Sequence, residues 1–309
     1  MLKKIDTLFI ELTKSCNLKC KQCGYWKLKE KDCITSKQFE KIVDYFEKFG
    51  VKVVHLTGGE PLLAEEILDI LKIAKNKNLF IKISTNGTLI NKIMRGENLA
   101  LIDEITISLD SSNAKTYEHI RGRNAFDEIV KGIQFMMNQK NRPQIALSFL
   151  IQRANYKEVT EFVEFAVKCN VDRIAFLVPN RNGDFTNTLN QELYNKNVFL
   201  NYEEAQEWNK SIYPSLMKVM NKHQSHLIMP NSHHMQALRG YFDFSASQLR
   251  QSICMQPLNS MFITSDMKFK LCPYFDETYT LNNFNIENKL EEERLKIFFD
   301  TQIKERKCA

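Results

Sequence analysis

Three cysteines fall within eight positions, Cys16, Cys20 and Cys23, in the order C-x-x-x-C-x-x-C. Thiolates this close in sequence can wrap one metal centre, and iron–sulfur clusters are held by cysteine thiolates. Three ligands leave one iron of a four-iron cluster without a protein group. An open coordination position is what a metal centre needs if it is to bind and transform a small molecule. The plain alternative is structural zinc, which takes four ligands, and the nearby candidate for a fourth is Cys33. Three more cysteines, Cys254, Cys272 and Cys308, lie toward the C-terminus, and Cys33 and Cys169 stand apart. The N-terminus has no apolar run of signal-peptide length, so eight cysteines in this chain point to thiolate or metal chemistry rather than to a secreted disulfide framework.

These groups need a scaffold. Short β-branched runs alternate with segments of helical period. The strands read Thr7–Glu11, Val53–Leu56, Phe80–Ser84, Ile105–Leu109, Ile145–Leu150 and Arg173–Leu177. Helices are predicted from about Ser36 to Lys48 and over Leu63–Lys75, Phe126–Asn138 and Tyr156–Lys168. In the first of these, Phe39, Ile42, Val43 and Phe46 make one apolar face, with a capping box at Thr35 and Gln38. Six strands alternating with helices imply an α/β fold with a parallel sheet and right-handed crossovers. In such folds the functional groups gather on loops leaving the C-terminal ends of strands. Every unusual local sequence sits at such an end: SCNLKCKQC, TGGEP, TNG, DSS, QRANY and PNRNG follow the six strands in turn.

The order CNLKCKQC, GGEPLL, STNGTLI, ISLDSS resembles the radical S-adenosylmethionine superfamily, over about the first 180 residues. The resemblance implies a partial (β/α)6 TIM-type barrel, with an α/β extension carrying a hairpin and helices. It implies that Cys16, Cys20 and Cys23 ligate a [4Fe–4S] cluster whose fourth iron chelates S-adenosylmethionine. Gly58, Gly59, Glu60 and Pro61 correspond to the stretch that receives the methionine amino group. Glycines let a backbone approach a ligand closely, and Glu60 can accept from an ammonium. Ser84, Thr85 and Asn86 match a polar strand end facing ribose or methionine, and Ser108 and Asp110 a similar position on the fourth strand. Ser108 reads equally well as an ordinary strand serine. Gln22 departs from the pattern, which carries an aromatic there beside the adenine; Tyr25 or Trp26 are candidate substitutes. Leu177 and Val178 are apolar neighbours for the adenine or simple core residues.

Residues 1–200 form the expected core and 201–309 the extension. After about residue 180 the chain is Asn-rich and reads as a long loop, followed by helices near Tyr202–Asn221 and His234–Leu249. A hairpin of Met261–Thr264 and Lys268–Leu271 comes next, then a charged helix over about Glu287–Lys304. Cys254 and Cys272 flank the hairpin. With Cys308 they resemble the SPASM and twitch extensions of the superfamily and so imply an auxiliary iron–sulfur cluster, centred on residues 250–309. The pattern's hairpin glycine is replaced by Met267, and buried thiols are the alternative. Cys33 and Cys169 are read as packing residues, and His223, His226, His233 and His234 as surface or inter-helix residues.

The net charge of +6 is spread over helix surfaces without a polybasic tract, so nucleic acid is not the expected partner. No run approaches the roughly 18 apolar residues of a membrane span, and the expected location is the cytoplasm. The first strand begins close to the N-terminus, with no preceding leader-recognition domain, which favours a small polar substrate: a sugar, an aminoglycoside-like or a nucleotide-linked compound. The resemblance implies reductive cleavage of S-adenosylmethionine to a 5′-deoxyadenosyl radical and hydrogen abstraction, ending in oxidation where an auxiliary cluster takes the electron. A donor such as flavodoxin or ferredoxin is implied. The alternatives are a maturase of ribosomal peptides with a separate leader-binding partner, and a non-catalytic cluster- or zinc-binding protein.

Overall fold

The structure, a computed structural model, describes residues 5–93, 96–179, 186, 188–242, 259–270 and 279–280. The chain runs β1 (Thr7–Thr13), α1 (Ser36–Glu47), β2 (Val53–Gly58), α2 (Ile67–Asn76), β3 (Phe80–Thr85), α3 (Ile90–Ile93) and β4 (Glu104–Ser108). It continues with α4 (Ala114–Arg121), α5 (Phe126–Met137), β5 (Gln144–Leu150), α6 (Val159–Lys168) and β6 (Arg173–Leu177). The six strands are parallel and ordered β6-β5-β4-β3-β2-β1, the partial barrel expected of the pattern.

Strand alternation decides which residues can do chemistry. Leu8, Ile10, Val54, Leu56, Ile81, Ile83, Ile105, Ile107, Leu147 and Phe149 are fully buried. They pack on the helices; Phe149, for example, stacks 4.7 Å from Phe162 of α6. The intervening residues therefore line the concave face. At its N-terminal end Glu104 binds Lys82 at 2.9 Å, with Arg173 at 3.8 Å, an ionic floor. Toward the C-terminal end the inner side chains become short: Thr106, Ser108, Ala146, Ser148 and Ala175 leave the mouth open.

Helix signals account for most boundaries. The capping box at Thr35 and Gln38 forms as expected. Two expected helices begin later as α-helix, because a 3-10 turn comes first: Pro61–Leu63 ahead of α2 and Tyr156–Glu158 ahead of α6. Helix α4 was not expected. It is eight residues long and buries only Tyr117 and Ile120, too few to show a period, and Asn113 caps it through the Lys115 and Thr116 amides.

The long loop expected after residue 180 is corrected in part. It contains α7 (Gln191–Val198), which Asn190 caps and which buries Tyr194 and Val198. The helix expected over Tyr202–Asn221 is α8 (Tyr202–Glu207), a π turn at Trp208–Ile212 that buries Trp208, and α9 (Tyr213–His223). α10 (Ser232–Tyr241) covers the first part of the helix expected at His234–Leu249, whose end lies outside the described residues.

The hairpin forms as β7 (Ser260–Ile263) and β8 (Lys268–Lys270), with β9 (Tyr279–Thr280) beside it. Met267 holds the turn at φ 65°, the left-handed conformation that glycine takes without strain. The hairpin is more than an appendage: β7 pairs in parallel with β1 and extends the sheet to nine strands among the described residues. The helix expected at Glu287–Lys304 and the cysteines Cys254, Cys272 and Cys308 lie outside the described residues. Among the described residues no helix is long and apolar enough to cross a membrane.

Candidate cluster and cofactor site

The cysteine loop leaves β1 and is fastened on every side by the other motifs. Thr13 and Ser15 carbonyls accept the Gly59 and Glu60 amides, each at 2.7 Å. Gly58 has φ 135°, and a Cβ there would strike the Thr13 carbonyl oxygen; one on Gly59 would strike the Ser15 carbonyl. The close approach that these glycines permit is thus of the chain's own backbone. Pro61 opens the 3-10 turn that follows. Glu60 is fully buried and cross-links two loops. Its carboxylate accepts from Thr85 Oγ1 at 2.6 Å, the Asn86 amide at 2.7 Å and the Leu62 amide at 3.1 Å. Burial pushes its pKa up to about 7, against the pull of those three donors.

Asn86 closes the next link. Its Nδ2 donates to Asn17 Oδ1 at 2.8 Å, and Asn17 in turn donates to Thr88 Oγ1 at 2.8 Å. From the strand-four side, Gln22 donates to Asp110 Oδ2 at 2.9 Å. The residue that departs from the superfamily pattern therefore ties the cysteine loop to β4. Arg121 binds the same Asp110 oxygen at 2.7 Å, and the other oxygen accepts the Leu150 amide at 2.9 Å. Tyr25 donates to buried Glu11, which also accepts from the amide and hydroxyl of Ser265 in the hairpin turn, at 3.1 and 2.6 Å. Trp26 Nε1 binds the Cys20 carbonyl at 3.2 Å.

Cys20 Sγ accepts from the Arg121 guanidinium at 3.8 Å. Burial raises the Cys16 thiol, against the pull of the Leu18 amide and the Asn86 side chain. Burial pushes Cys20 up to about 11 and Cys23 up to about 12, and Cys16 and Cys20 each raise Cys23 further. Neighbouring sulfurs that repel each other as thiolates suit a cationic cluster that takes the charge. Cys33 is exposed and bridges Thr13 through its backbone.

Other expected residues have partners of their own. Ser84 hydrogen-bonds His55 Nε2 at 2.7 Å on the concave face, and Ser108 lies 3.5 Å from Ser148. Leu177 is 46% exposed at the end of β6, on the open side of the mouth rather than in the core. Cys169 packs against the core, His223 binds Glu164 at 2.9 Å and His234 the Phe176 carbonyl at 2.8 Å. Sequence reasoning missed Arg121 and His55. The arginine sits in a helix too short to be noticed, although the IRG at its end, a cation followed by a glycine stop, was visible.

A fold that gathers a three-cysteine loop and three polar strand ends at one mouth defines a class, and the comparisons agree. The model of the radical SAM superfamily matches residues 10–166, about half the chain. The chain belongs to the radical SAM superfamily, whose members carry a [4Fe–4S] cluster and S-adenosylmethionine. A probable GTP 3′,8-cyclase of Pyrococcus horikoshii is 32% identical over 170 residues, 54% of this chain and 54% of that protein. The chain thus spans about half the length of that relative. One of Sulfolobus acidocaldarius is 28% identical over 279 residues, 89% of this chain and 83% of that protein. Among solved structures, Streptococcus suis SuiB bound to S-adenosylmethionine superposes with a TM-score of 0.70 at 18% identity, over 96% of this chain and 66% of that one. Native anSMEcpe with AdoMet and a peptide gives 0.66 at 16% identity, over 93% and 79%. At these identities the likeness is one of fold.

Proposed function

We propose that Cys16, Cys20 and Cys23 hold the cluster and that the chain acts on a nucleotide-linked small substrate. The observation that carries the first part is the loop itself: three thiols on one short stretch, Cys20 facing the Arg121 guanidinium, locked by GGEP, TNG and the end of α4. When bound, the cluster supplies the electron that cleaves S-adenosylmethionine to a 5′-deoxyadenosyl radical. The chain's residues position and shield. Gly58, Gly59, Glu60 and Pro61 shape the loop that meets the methionyl end. Ser84, Thr85, Asn86 and Ser108 offer polar atoms along the concave face. Asp110 braces the loop, and Leu177 lines the open side. The short inner side chains leave room for cofactor and substrate, and the packed helices exclude water from below.

The nucleotide-linked reading draws on the relatives named as GTP 3′,8-cyclases, one of which aligns with most of this chain. No relative described above carries a sugar or an aminoglycoside in its name, and that expectation is set aside. Peptide substrates are the second reading, favoured by the fold shared with SuiB and anSMEcpe, solved with peptides. An auxiliary cluster on Cys254, Cys272 and Cys308 would make the reaction an oxidation. The expected electron donor is an acidic flavodoxin- or ferredoxin-like protein in the cytoplasm, docking where Lys19 and Lys21 flank Cys20 on the exposed side of the loop.

Anaerobic reconstitution, with iron and sulfide counted per chain and 5′-deoxyadenosine assayed after reduction, tests this. About eight irons falling to about four in Cys254→Ala/Cys272→Ala supports two clusters. About four irons that survive that change leaves one cluster and removes the oxidation reading. Stoichiometric zinc without cofactor cleavage overturns the proposal. Nucleotide triphosphates and short peptides, added in parallel, decide the substrate class by which one raises the cleavage rate.

A further inference from the structure

Arg121 ends α4 with its guanidinium between Asp110 and Cys20. Its side chain is 11% exposed and that of Asp110 is 1%. One terminal nitrogen lies 2.7 Å from Asp110 Oδ2, and the other is 3.8 Å from Cys20 Sγ. The backbone around the arginine is fixed to the cysteine loop. The Ile120 carbonyl accepts the Lys21 amide at 3.0 Å, and the Arg121 carbonyl accepts the Lys19 amide at 3.3 Å. Gly122, at φ 70°, ends the helix against Lys19, where a Cβ would come within 2.6 Å of the carbonyl oxygen. The guanidinium is thus carried on the same frame as the sulfur it faces.

A buried ion pair is weak support for stability, because removing both charges from water costs about what their attraction returns. This pair is also incompletely used as a brace, since Arg121 Nε is buried without a hydrogen-bond partner. The position of the positive charge is the more informative feature. Iron–sulfur potentials depend on net charge and on hydrogen bonds to the sulfurs. Adding an electron makes a cluster more negative, so a fixed cation with an N–H aimed at a ligand sulfur favours the reduced form, and a carboxylate nearby opposes it.

We propose that Arg121 is a positioning residue that raises the reduction potential of the cluster through Cys20, with Asp110 as the opposing charge. The inference rests on the reading that Cys16, Cys20 and Cys23 hold that cluster. It makes a sign prediction that a structural brace does not share. Removing the cation must make the cluster harder to reduce, and neutralising the carboxylate must make it easier.

The test is an anaerobic redox titration of the reconstituted full chain, followed by electron paramagnetic resonance of the reduced cluster. Arg121→Gln is expected to lower the ratio of reduced to oxidised cluster about tenfold at a fixed applied potential, a downward shift of about 59 mV for one electron. Asp110→Asn is expected to shift it upward, and Arg121→Lys to restore most of the native value. Arg123→Gln, an exposed neighbour paired with Glu128 at the surface, is the control and should leave the potential unmoved. Full iron content with an unchanged potential in Arg121→Gln overturns the inference while leaving the cluster reading intact. Shifts of the same sign in Arg121→Gln and Asp110→Asn overturn it too, because they mark a common loss of structure. Should Arg121→Gln fail to load iron, Arg121→Lys and Asp110→Asn decide by the same signs. A native chain that binds no cluster at all sinks the underlying reading.

Discussion

At the mouth of the sheet, the loops after β1 to β4 hold one another through side chains, whereas the end of β6, among the described residues, is held mainly through its carbonyls. Glu60, Asn17, Asn86, Gln22 and Asp110 link the first four loops, and two glycines let the GGEP backbone seat against the cysteine loop. At β6, the His234 ring binds the Phe176 carbonyl and Tyr241 binds the Pro179 carbonyl, both from α10, while Leu177 keeps a half-open side chain. A side-chain lock accepts few residues at each position; a carbonyl contact places little demand on the residue that supplies it. The first arrangement suits a cofactor whose geometry must be fixed to a fraction of an ångström. The second leaves a wall that can change with the substrate. The C-terminal part joins both: α10 at β6, and the β7–β8 turn at β1 through Ser265 and Glu11.

The strongest way to break the locked side is Gly59→Ala. Its Cβ would meet backbone that is itself pinned by hydrogen bonds, so the loop must move. The expected cost is about 1–3 kcal/mol, read by thermal unfolding, with loss of cluster loading read as iron per chain. Full loading at native stability would show that the loop is not locked as described.

Reversing charge on the outer face of the same loop should spare its structure and act mainly on electron delivery, because solvent screens exposed charges. Lys19→Glu/Lys21→Glu is expected to slow reduction by an acidic flavodoxin about tenfold at low salt, with the difference shrinking as salt rises. Reduction by dithionite should be unchanged. Equal rates with the protein donor would move the docking surface elsewhere.

The two sides also differ in how much of them could be read from the sequence. The six strands and the thiol loop were legible, because alternation and cysteine spacing are local signals. So was the hairpin. What was hidden depends on register or on short elements. His55 reads as one polar residue in a strand, and only pairing β2 with β3 brings it to Ser84. Arg121 belongs to a helix of eight residues with two buried positions. The parallel pairing of β7 with β1 joins segments some 250 residues apart, and no local pattern announces it. Glu60 and Asp110 stood out as carboxylates at strand ends, yet the partners they have inside the protein follow from distances that no spacing encodes.

His55 sharpens the comparison from inside the barrel. Burial holds its pKa down at about 4, helped by Lys82 and opposed by Glu104. The folded state therefore resists a proton that the unfolded chain accepts near 6.5. The stability this neutral ring contributes is fully present above about pH 6.5 and is lost as pH falls toward 4. His55→Asn should flatten the pH dependence of unfolding in that window, measured by denaturant titration at several pH values. An unchanged slope would mean that the ring is solvated like a surface histidine.

Leu177→Ser should have the smallest effect on the fold and the most selective effect on function. The side chain is half exposed and its neighbours are held through backbone, so the change in stability should stay within about 0.5 kcal/mol. Cluster content and cofactor cleavage without substrate depend on the locked side and should be native. What should change is the substrate's KM, because a hydroxyl replaces apolar surface on the open wall of the mouth. A loss of uncoupled cofactor cleavage in this variant would place Leu177 against S-adenosylmethionine, and would erase the division between the two sides at β6. A KM that moves alone would assign β6 to the substrate and leave the cofactor to the first four strands.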